Sequence, residues 1–385
     1  MRRIKAGVVG IGFVGRCHVE ALRRLGYVDV VTASRGGPAE AKAKADEMSV
    51  VQSYGSYEEL MADPTVEVVH ICTPNSQHYE QTKMALMAGK HVLCEKPFTP
   101  TSEQAAELIA LANKKHLVGT VHFNKRYYPL IHQAKAMVQA GELGDILSIN
   151  GSYTQDWLMY DTDYNWIVES EYCGHSRVVD DLGSHWFDLT GFITGIEIER
   201  VFGDYATYFP IRKKPLKPVE TFATQTADPA DVTDIEVTTE DYATVLLRYN
   251  NGAHGSFTTS QSFAGRKNRC YFEIYGTKKS LSWHEERPNE LWIGSREEGN
   301  MTIMKDPSIL EEAAVCYSSY PGGHNEGFND TSKHHFSEFY EYIIGDGKGK
   351  GETETFPTFE DGLKQALICE KIFQAQSEEN WISVP

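Results

Sequence analysis

The 385 residues carry 54 acidic against 37 basic side chains, a formal charge of -17, with 41% hydrophobic residues and seven cysteines. That length makes two or three domains, each able to bury its own core at about 100–200 residues per domain. The acidity argues against a nucleic-acid partner, which would need a basic patch to neutralise phosphates, and no apolar run approaches the ~20 residues needed to cross a bilayer. The start, Met1-Arg2-Arg3-Ile4-Lys5-Ala6-Gly7, has no apolar signal-peptide core. Seven scattered thiols (Cys17, Cys72, Cys94, Cys173, Cys270, Cys316, Cys369) match no disulfide framework or zinc knuckle. The expectation is a soluble, cytoplasmic protein.

In chain order, β-branched runs at Lys5–Gly10, Val28–Ser34, Val50–Gln52, Val66–Thr73, His91–Glu95 and Leu117–Phe123 alternate with helical patterns. The helices read near Phe13–Leu25, Ala39–Met48, Tyr57–Ala62, Gln77–Ala88 and Ser102–Lys115. Such alternation predicts an α/β, doubly wound parallel sheet. Gly26 and Gly89 stop helices, Pro38 starts one, and Ser56 and Thr101 have N-cap spacing to Glu59 and Gln104. After Asn124 the pattern changes: a helix at Pro129–Ala140 precedes strands at Ile146–Thr154, Glu199–Tyr208, Ala243–Tyr249, Ala253–Gln261, Arg269–Gly276 and Lys279–Trp283. Asn250-Asn251-Gly252 marks a hairpin, so this sheet reads as antiparallel. Further helices fall near Leu182–Thr194, His334–Ile344 and Phe359–Gln376, and Lys213–Asp231, rich in proline, reads as a loop. Two domains follow, 1–123 and 124–385.

Gly10-Ile11-Gly12-Phe13-Val14-Gly15 joins the first strand to the first helix. Glycines there allow a tight turn and close backbone approach to a pyrophosphate, which the helix N-terminus attracts. Dinucleotide binding is the expected role of Gly10, Gly12, Phe13, Val14 and Gly15. The second strand ends in Ser34-Arg35 rather than the acid that reads the NAD ribose. An arginine there would suit the 2′-phosphate of NADP, or it could be solvated or stack on adenine, so NAD and NADP both stay open.

Ligands of open α/β sheets bind at the carboxyl ends of strands. Two such ends read Cys72-Thr73-Pro74-Asn75, followed by His78, and Glu95-Lys96-Pro97. A lysine at the end of a buried strand is an unusual place for a solvated charge, although it could also snorkel outward. Farther on, Asp180-Asp181-Leu182-Gly183-Ser184-His185-Trp186-Phe187-Asp188 puts a carboxylate and an imidazole four residues apart on a helix. A carboxylate beside an imidazole orients it and raises its basicity. His185 with Asp181 or Asp188 could alternatively hold a metal, and Asp181 could simply cap the helix.

These motifs, in this order and spacing, resemble the Gfo/Idh/MocA family of sugar and polyol dehydrogenases over essentially the whole chain. The resemblance implies an N-terminal Rossmann domain and a C-terminal α/β domain with a large open, mostly antiparallel sheet, whose exposed face makes subunit contacts in a dimer or tetramer. It implies that Lys96, Asp181 and His185 are catalytic, with no metal, and that Thr73, Pro74, Asn75, His78, Glu95 and Lys96 lie along the nicotinamide. Oxidising a secondary alcohol needs hydride loss from carbon and proton loss from the hydroxyl. His185 is assigned as base, Asp181 as its orienter and Lys96 as the cation on the oxygen, or itself as proton acceptor if burial lowers its proton affinity.

A sugar, with apolar C–H faces and a hydroxyl rim, suits aromatic faces flanked by carboxylates and amides. Asn124, Arg126, Tyr153, Asp156, Trp157, His185 and His324 are the substrate candidates. Asp156-Trp157 and Ser184-His185-Trp186 are similar to family members acting on levoglucosan and on glycosides oxidised at the C3 hydroxyl. The expected activity is NAD(P)-dependent oxidation of a sugar, anhydrosugar or glycoside. An inositol dehydrogenase, a nicotinamide-assisted glycosidase and a non-catalytic sensor are its alternatives.

Overall fold

The structure, a computed structural model, describes residues 2–34, 36–217, 231–345 and 355–385. Two compact units result, one of Met1–Asn124 with Asn329–Ala366, the other of Lys125–Phe328 with Leu367–Pro385. A single cut at 123/124 therefore describes the chain only in part, because Asn329–Ala366 packs with the N-terminal residues.

The first unit contains strands β1 (Ile4–Val9), β2 (Val28–Ala33), β3 (Ser53–Tyr54), β4 (Val68–Ile71), β5 (His91–Cys94) and β6 (Gly119–Val121). They form one parallel sheet in the order β3-β2-β1-β4-β5-β6, the order of a doubly wound dinucleotide fold. Helices α1 (Phe13–Leu25), α2 (Gly37–Glu47), α3 (Tyr57–Ala62), α4 (His78–Met87) and α5 (Ser102–Lys115) make the crossovers. Ser56 and Thr101 accept from the amides of Glu59 and Gln104 as N-caps, and Gly26 ends α1 at φ 78°. The short third strand falls later than its apolar run suggests: Val50 is buried, but Val51 is 95% exposed and only Ser53–Tyr54 pairs with β2.

In the second unit, α6 (Pro129–Gln139) leads into β7 (Ile146–Thr154), then α7 (Ser170–Cys173), a π turn at Val179–Gly183 and α8 (Ser184–Thr194). Strands β8 (Ile198–Ala206), β9 (Ile211–Pro215), β10 (Val232–Glu236), β11 (Tyr242–Tyr249), β12 (His254–Ser260), β13 (Arg269–Gly276), β14 (Lys279–His284), β15 (Glu290–Ser295) and β16 (Met301–Met304) follow, then α9 (Glu312–Val315). Next come α10 (Phe328–Ile344), packed in the first unit, α11 (Phe359–Glu378), shared between the two, and β17 (Ile382–Ser383). The nine-stranded sheet runs β16-β15-β14-β13-β7-β12-β11-β8-β17, antiparallel except where β12 lies parallel to β7. β9 and β10 pair as a separate ribbon flanking the stretch read as a loop, of which only Lys213–Pro215 is strand, while Pro218 and Pro229 of that stretch lie outside the described residues.

Alternation along the sheet buries one face, with Val245, Leu247, Phe257, Phe272 and Ile274 packed beneath Trp186, Phe187 and Ile372. Leu246 and Tyr275 on the other face are 43% and 36% exposed. All seven cysteines are free, and among the described residues no helix is long and apolar enough to cross a membrane.

Candidate active site

The glycine turn tests whether a dinucleotide fits. Gly10 sits at φ 83°, and a Cβ there would lie 2.4 Å from the carbonyl oxygen of Cys72. A Cβ on Gly15 would meet the Gly10 carbonyl at 2.2 Å, so this residue lets α1 close onto the turn. Gly12 differs: a Cβ would meet nothing within 4 Å, and no side chain caps α1 at this residue. Two glycines thus serve packing, while Gly12 keeps an open cradle at an uncapped helix N-terminus, which is what a pyrophosphate requires. Phe13 beside it is 47% exposed and Val14 partly buried. Ser34, buried at the end of β2, accepts from the Lys44 ammonium at 3.3 Å; Arg35 lies outside the described residues.

The ends of β4 and β5 are tied together by His78. Its Nδ1 lies 2.7 Å from the Pro97 carbonyl and its Nε2 2.8 Å from that of Thr73, and burial holds the imidazole below its usual range. Asn75 is buried, and Thr73 donates its hydroxyl to Gln81 at 2.6 Å. Glu95 is buried as well. Burial alone would raise its pKa, yet the N–H that His18 donates and the Lys96 ammonium outweigh that and hold the carboxyl below its ordinary range. His18, Glu95 and His122 bring metal-ligand atoms within 4.8 Å of one another, but hydrogen bonds already use them. His18 Nε2 donates to Glu95 at 2.9 Å, and the Ser332 hydroxyl meets His122 Nε2 at 3.1 Å.

In the second unit Asp181 lies inside the π turn, so the expected regular helical face is replaced by a π turn leading into α8. Single π turns inside helices recur at functional sites. Asp181 is not a helix cap, because Val178 and Gly183 hold the cap positions. Gln261, fully buried at the end of β12, donates to Asp181 Oδ2 at 2.8 Å. His185 is buried in the first turn of α8, its ring 6.2 Å from that of Tyr153. Asp188 is engaged by Arg126 in a buried bidentate pair, one bond being Nε to Oδ2 at 2.8 Å, which removes it from the metal reading.

The other substrate candidates divide. Tyr153 donates to Asn268 at 2.7 Å, Gln155 donates to the same oxygen at 2.9 Å, and Trp157 donates to Gln155 at 2.8 Å, a polar row reaching Tyr153 and its neighbour His185. Asp156 accepts from the Gly265 amide and the Lys267 ammonium. Asn124 is buried against Thr331 in the first unit, and His324 is exposed on a loop. Lys125 belongs to the polar-aromatic stretch His122–Arg126 that the sequence offers for the substrate, whereas Glu285, Gln261 and Asn268 were not anticipated. Lys125 forms a buried pair with Glu285 while its ammonium lies 4.6 Å over the Tyr153 ring. These partners stand 80 to 160 residues apart in the chain, beyond any local motif.

Known proteins agree with this architecture. Residues 4–123 match the oxidoreductase family profile with an NAD-binding Rossmann fold, and residues 131–282 match the GFO/IDH/MocA C-terminal domain. Levoglucosan dehydrogenase of Pseudarthrobacter phenanthrenivorans is 28% identical over 400 residues, covering 100% of this chain and 99% of its own. A solved levoglucosan dehydrogenase in complex with NADH and levoglucosan superposes with a TM-score of 0.87 at 27% identity, over 100% of both chains. The D-xylose 1-dehydrogenase (NADP(+)) of Hypocrea jecorina is 39% identical over 138 residues, 34% of this chain and 35% of that one. Matched in both halves and similar along its full length to a characterised member, the chain belongs to the Gfo/Idh/MocA family of NAD(P)-dependent oxidoreductases, which includes sugar dehydrogenases.

Proposed function

We propose that this protein oxidises a secondary hydroxyl of a sugar, anhydrosugar or glycoside, at C3, to the keto-sugar, and that Lys96, Asp181 and His185 are its catalytic residues. The observation that carries the reading is the full-length similarity to levoglucosan dehydrogenase together with His185 beside Tyr153 and the Trp157-Gln155-Asn268 row. An aromatic face next to directional amides is the chemistry that binds a sugar ring.

When bound, the nicotinamide supplies the hydride acceptor. The chain's residues handle the oxygen: Lys96 holds it and stabilises alkoxide character, and His185 takes the hydroxyl proton. Asp181, anchored by Gln261, orients the imidazole and favours its charged form once the proton arrives. Both NAD and NADP belong in the assay, since Ser34 leaves the end of β2 without a carboxylate and Lys44 brings a cation to it. The uncovered sheet face, with Leu246, Tyr275 and Met304 exposed, supports a homo-oligomer, and seven free thiols support a cytoplasmic setting.

The test is a panel of free sugars, inositols, levoglucosan and aryl glycosides with each dinucleotide, following reduced nicotinamide and identifying the product by NMR. A 3-keto-sugar formed in step with reduced cofactor supports the proposal. An inositol turned over faster than any sugar, or glycoside cleavage without net reduction, overturns it.

A further inference from the structure

The Rossmann unit contains a buried polar cluster that the reaction scheme leaves unused. His18 on α1, His70 on β4, His122 just after β6, and His335 and Tyr340 on α10 are all buried, as is Glu95. Their contacts form two oriented chains. In one, Tyr340 OH meets His70 Nε2 at 2.9 Å, His70 Nδ1 meets His18 Nδ1 at 2.9 Å, and His18 Nε2 donates to Glu95 Oε1 at 2.9 Å. In the other, the Thr120 hydroxyl is spent on the Pro357 carbonyl, so His335 Nε2 must donate to Thr120. His335 Nδ1 then accepts from His122 Nδ1 at 2.8 Å, and His122 Nε2 is left as a lone pair that takes the Ser332 hydroxyl. Each of these contacts receives one proton, and no ion is needed to complete the set.

Both chains converge on Glu95. Its Oε1 receives His18 and lies 3.9 Å from His122 Nε2, while its Oε2 accepts the backbone amide of Lys96 at 3.3 Å. His18 stands on the second turn of α1, the helix opened by the glycine turn. A buried carboxylate that is not fully compensated costs several kcal/mol, so these donors decide where Glu95 sits.

We propose that His18 and Glu95 are positioning residues that clamp the main chain at Lys96 to the dinucleotide-binding helix. This rests on the catalytic role given to Lys96 above. The titratable groups around Glu95 are His18 and Cys17 from α1, Cys72 beyond β4, His78 on α4, Cys94 on β5, His122 beyond β6, and Lys96 itself.

The experiment compares Glu95→Gln, His18→Leu, His18→Gln and Lys96→Ala as full-length enzymes, with cofactor affinity from fluorescence titration and thermal midpoints alongside the kinetics. Glu95→Gln keeps an amide-sized partner but removes the charge. It should lower kcat about tenfold or more, a larger change than in cofactor Kd. His18→Gln retains a donor near the Nε2 position and should recover most of the kcat lost in His18→Leu. If His18→Leu does not fold, the kcat of Glu95→Gln set against its cofactor Kd alone decides. Lys96→Ala inactive with Glu95→Gln at wild-type kcat overturns the clamp alone, and Lys96→Ala at wild-type rate overturns the catalytic reading instead. Stoichiometric zinc in untagged protein, lost in Glu95→Gln, would identify a metal site and also overturn the clamp.

Discussion

The two units solve the problem of holding polar groups in opposite ways. At the glycine turn and strand ends of the Rossmann unit the critical positions are backbone: Gly10 at positive φ, Gly12 leaving space, and carbonyls tied by His78 across 2.7 and 2.8 Å. In the second unit they are side chains held by other side chains, with Gln261 on Asp181, Arg126 on Asp188, and Lys125 on Glu285. Local backbone rules write the first kind into short motifs, and only the folded sheet assembles the second.

The sharpest break of that comparison removes chemistry from each unit separately. Lys96→Ala and His185→Ala should each lower kcat by about 10²- to 10⁴-fold while dinucleotide binding persists, measured by steady-state rates beside a fluorescence titration. Arg126→Ala strands the buried Asp188 carboxylate and should cost about 3–5 kcal/mol in urea unfolding. Gly12→Ala and Gly10→Ala separate space for a ligand from space for the chain. The first should leave the thermal midpoint near wild type while weakening dinucleotide affinity, and the second should lower the midpoint as well, its Cβ lying 2.4 Å from a backbone oxygen.

Protonation gives a smaller and graded effect. Burial holds His70 and His122 neutral, well below the usual imidazole range, so the unfolded chain binds their protons first as pH falls. Stability should therefore decline below pH ~6.5, by about 1.4 kcal/mol per pH unit for each ring, and His70→Gln should reduce that slope. At the weak end, Lys267→Ala should change stability by no more than about 1 kcal/mol, since Lys267 is 78% exposed in its pair with Asp156.

Much of the fold was legible because its signals are local. Helices Phe13–Leu25, Tyr57–Ala62 and Ser102–Lys115 and strands Ile146–Thr154 and Arg269–Gly276 fall where their periodicity puts them. Strands Glu290–Ser295 and Met301–Met304 escaped notice: they are short, lie near the sheet edge and alternate over too few residues to stand out. The assignment of Asn329–Ala366 to the N-terminal unit was invisible for a different reason. Phe336, Phe339 and Tyr340 read as an ordinary apolar helix face, and nothing in them says which core they join. At the site, the glycine turn and strand-end motifs were readable, whereas Asp181's partner Gln261 lies 80 residues away and the π turn has no periodic signature.

The central claim is that hydride leaves C3 of a carbohydrate. Its most direct test is a single-turnover reaction with the best panel substrate deuterated at C3, followed by mass spectrometry of the nicotinamide. The account predicts one deuterium in the reduced cofactor for the wild type and none above background for Lys96→Ala. Reduced cofactor free of deuterium, with the label still at C3 of the product, would contradict it.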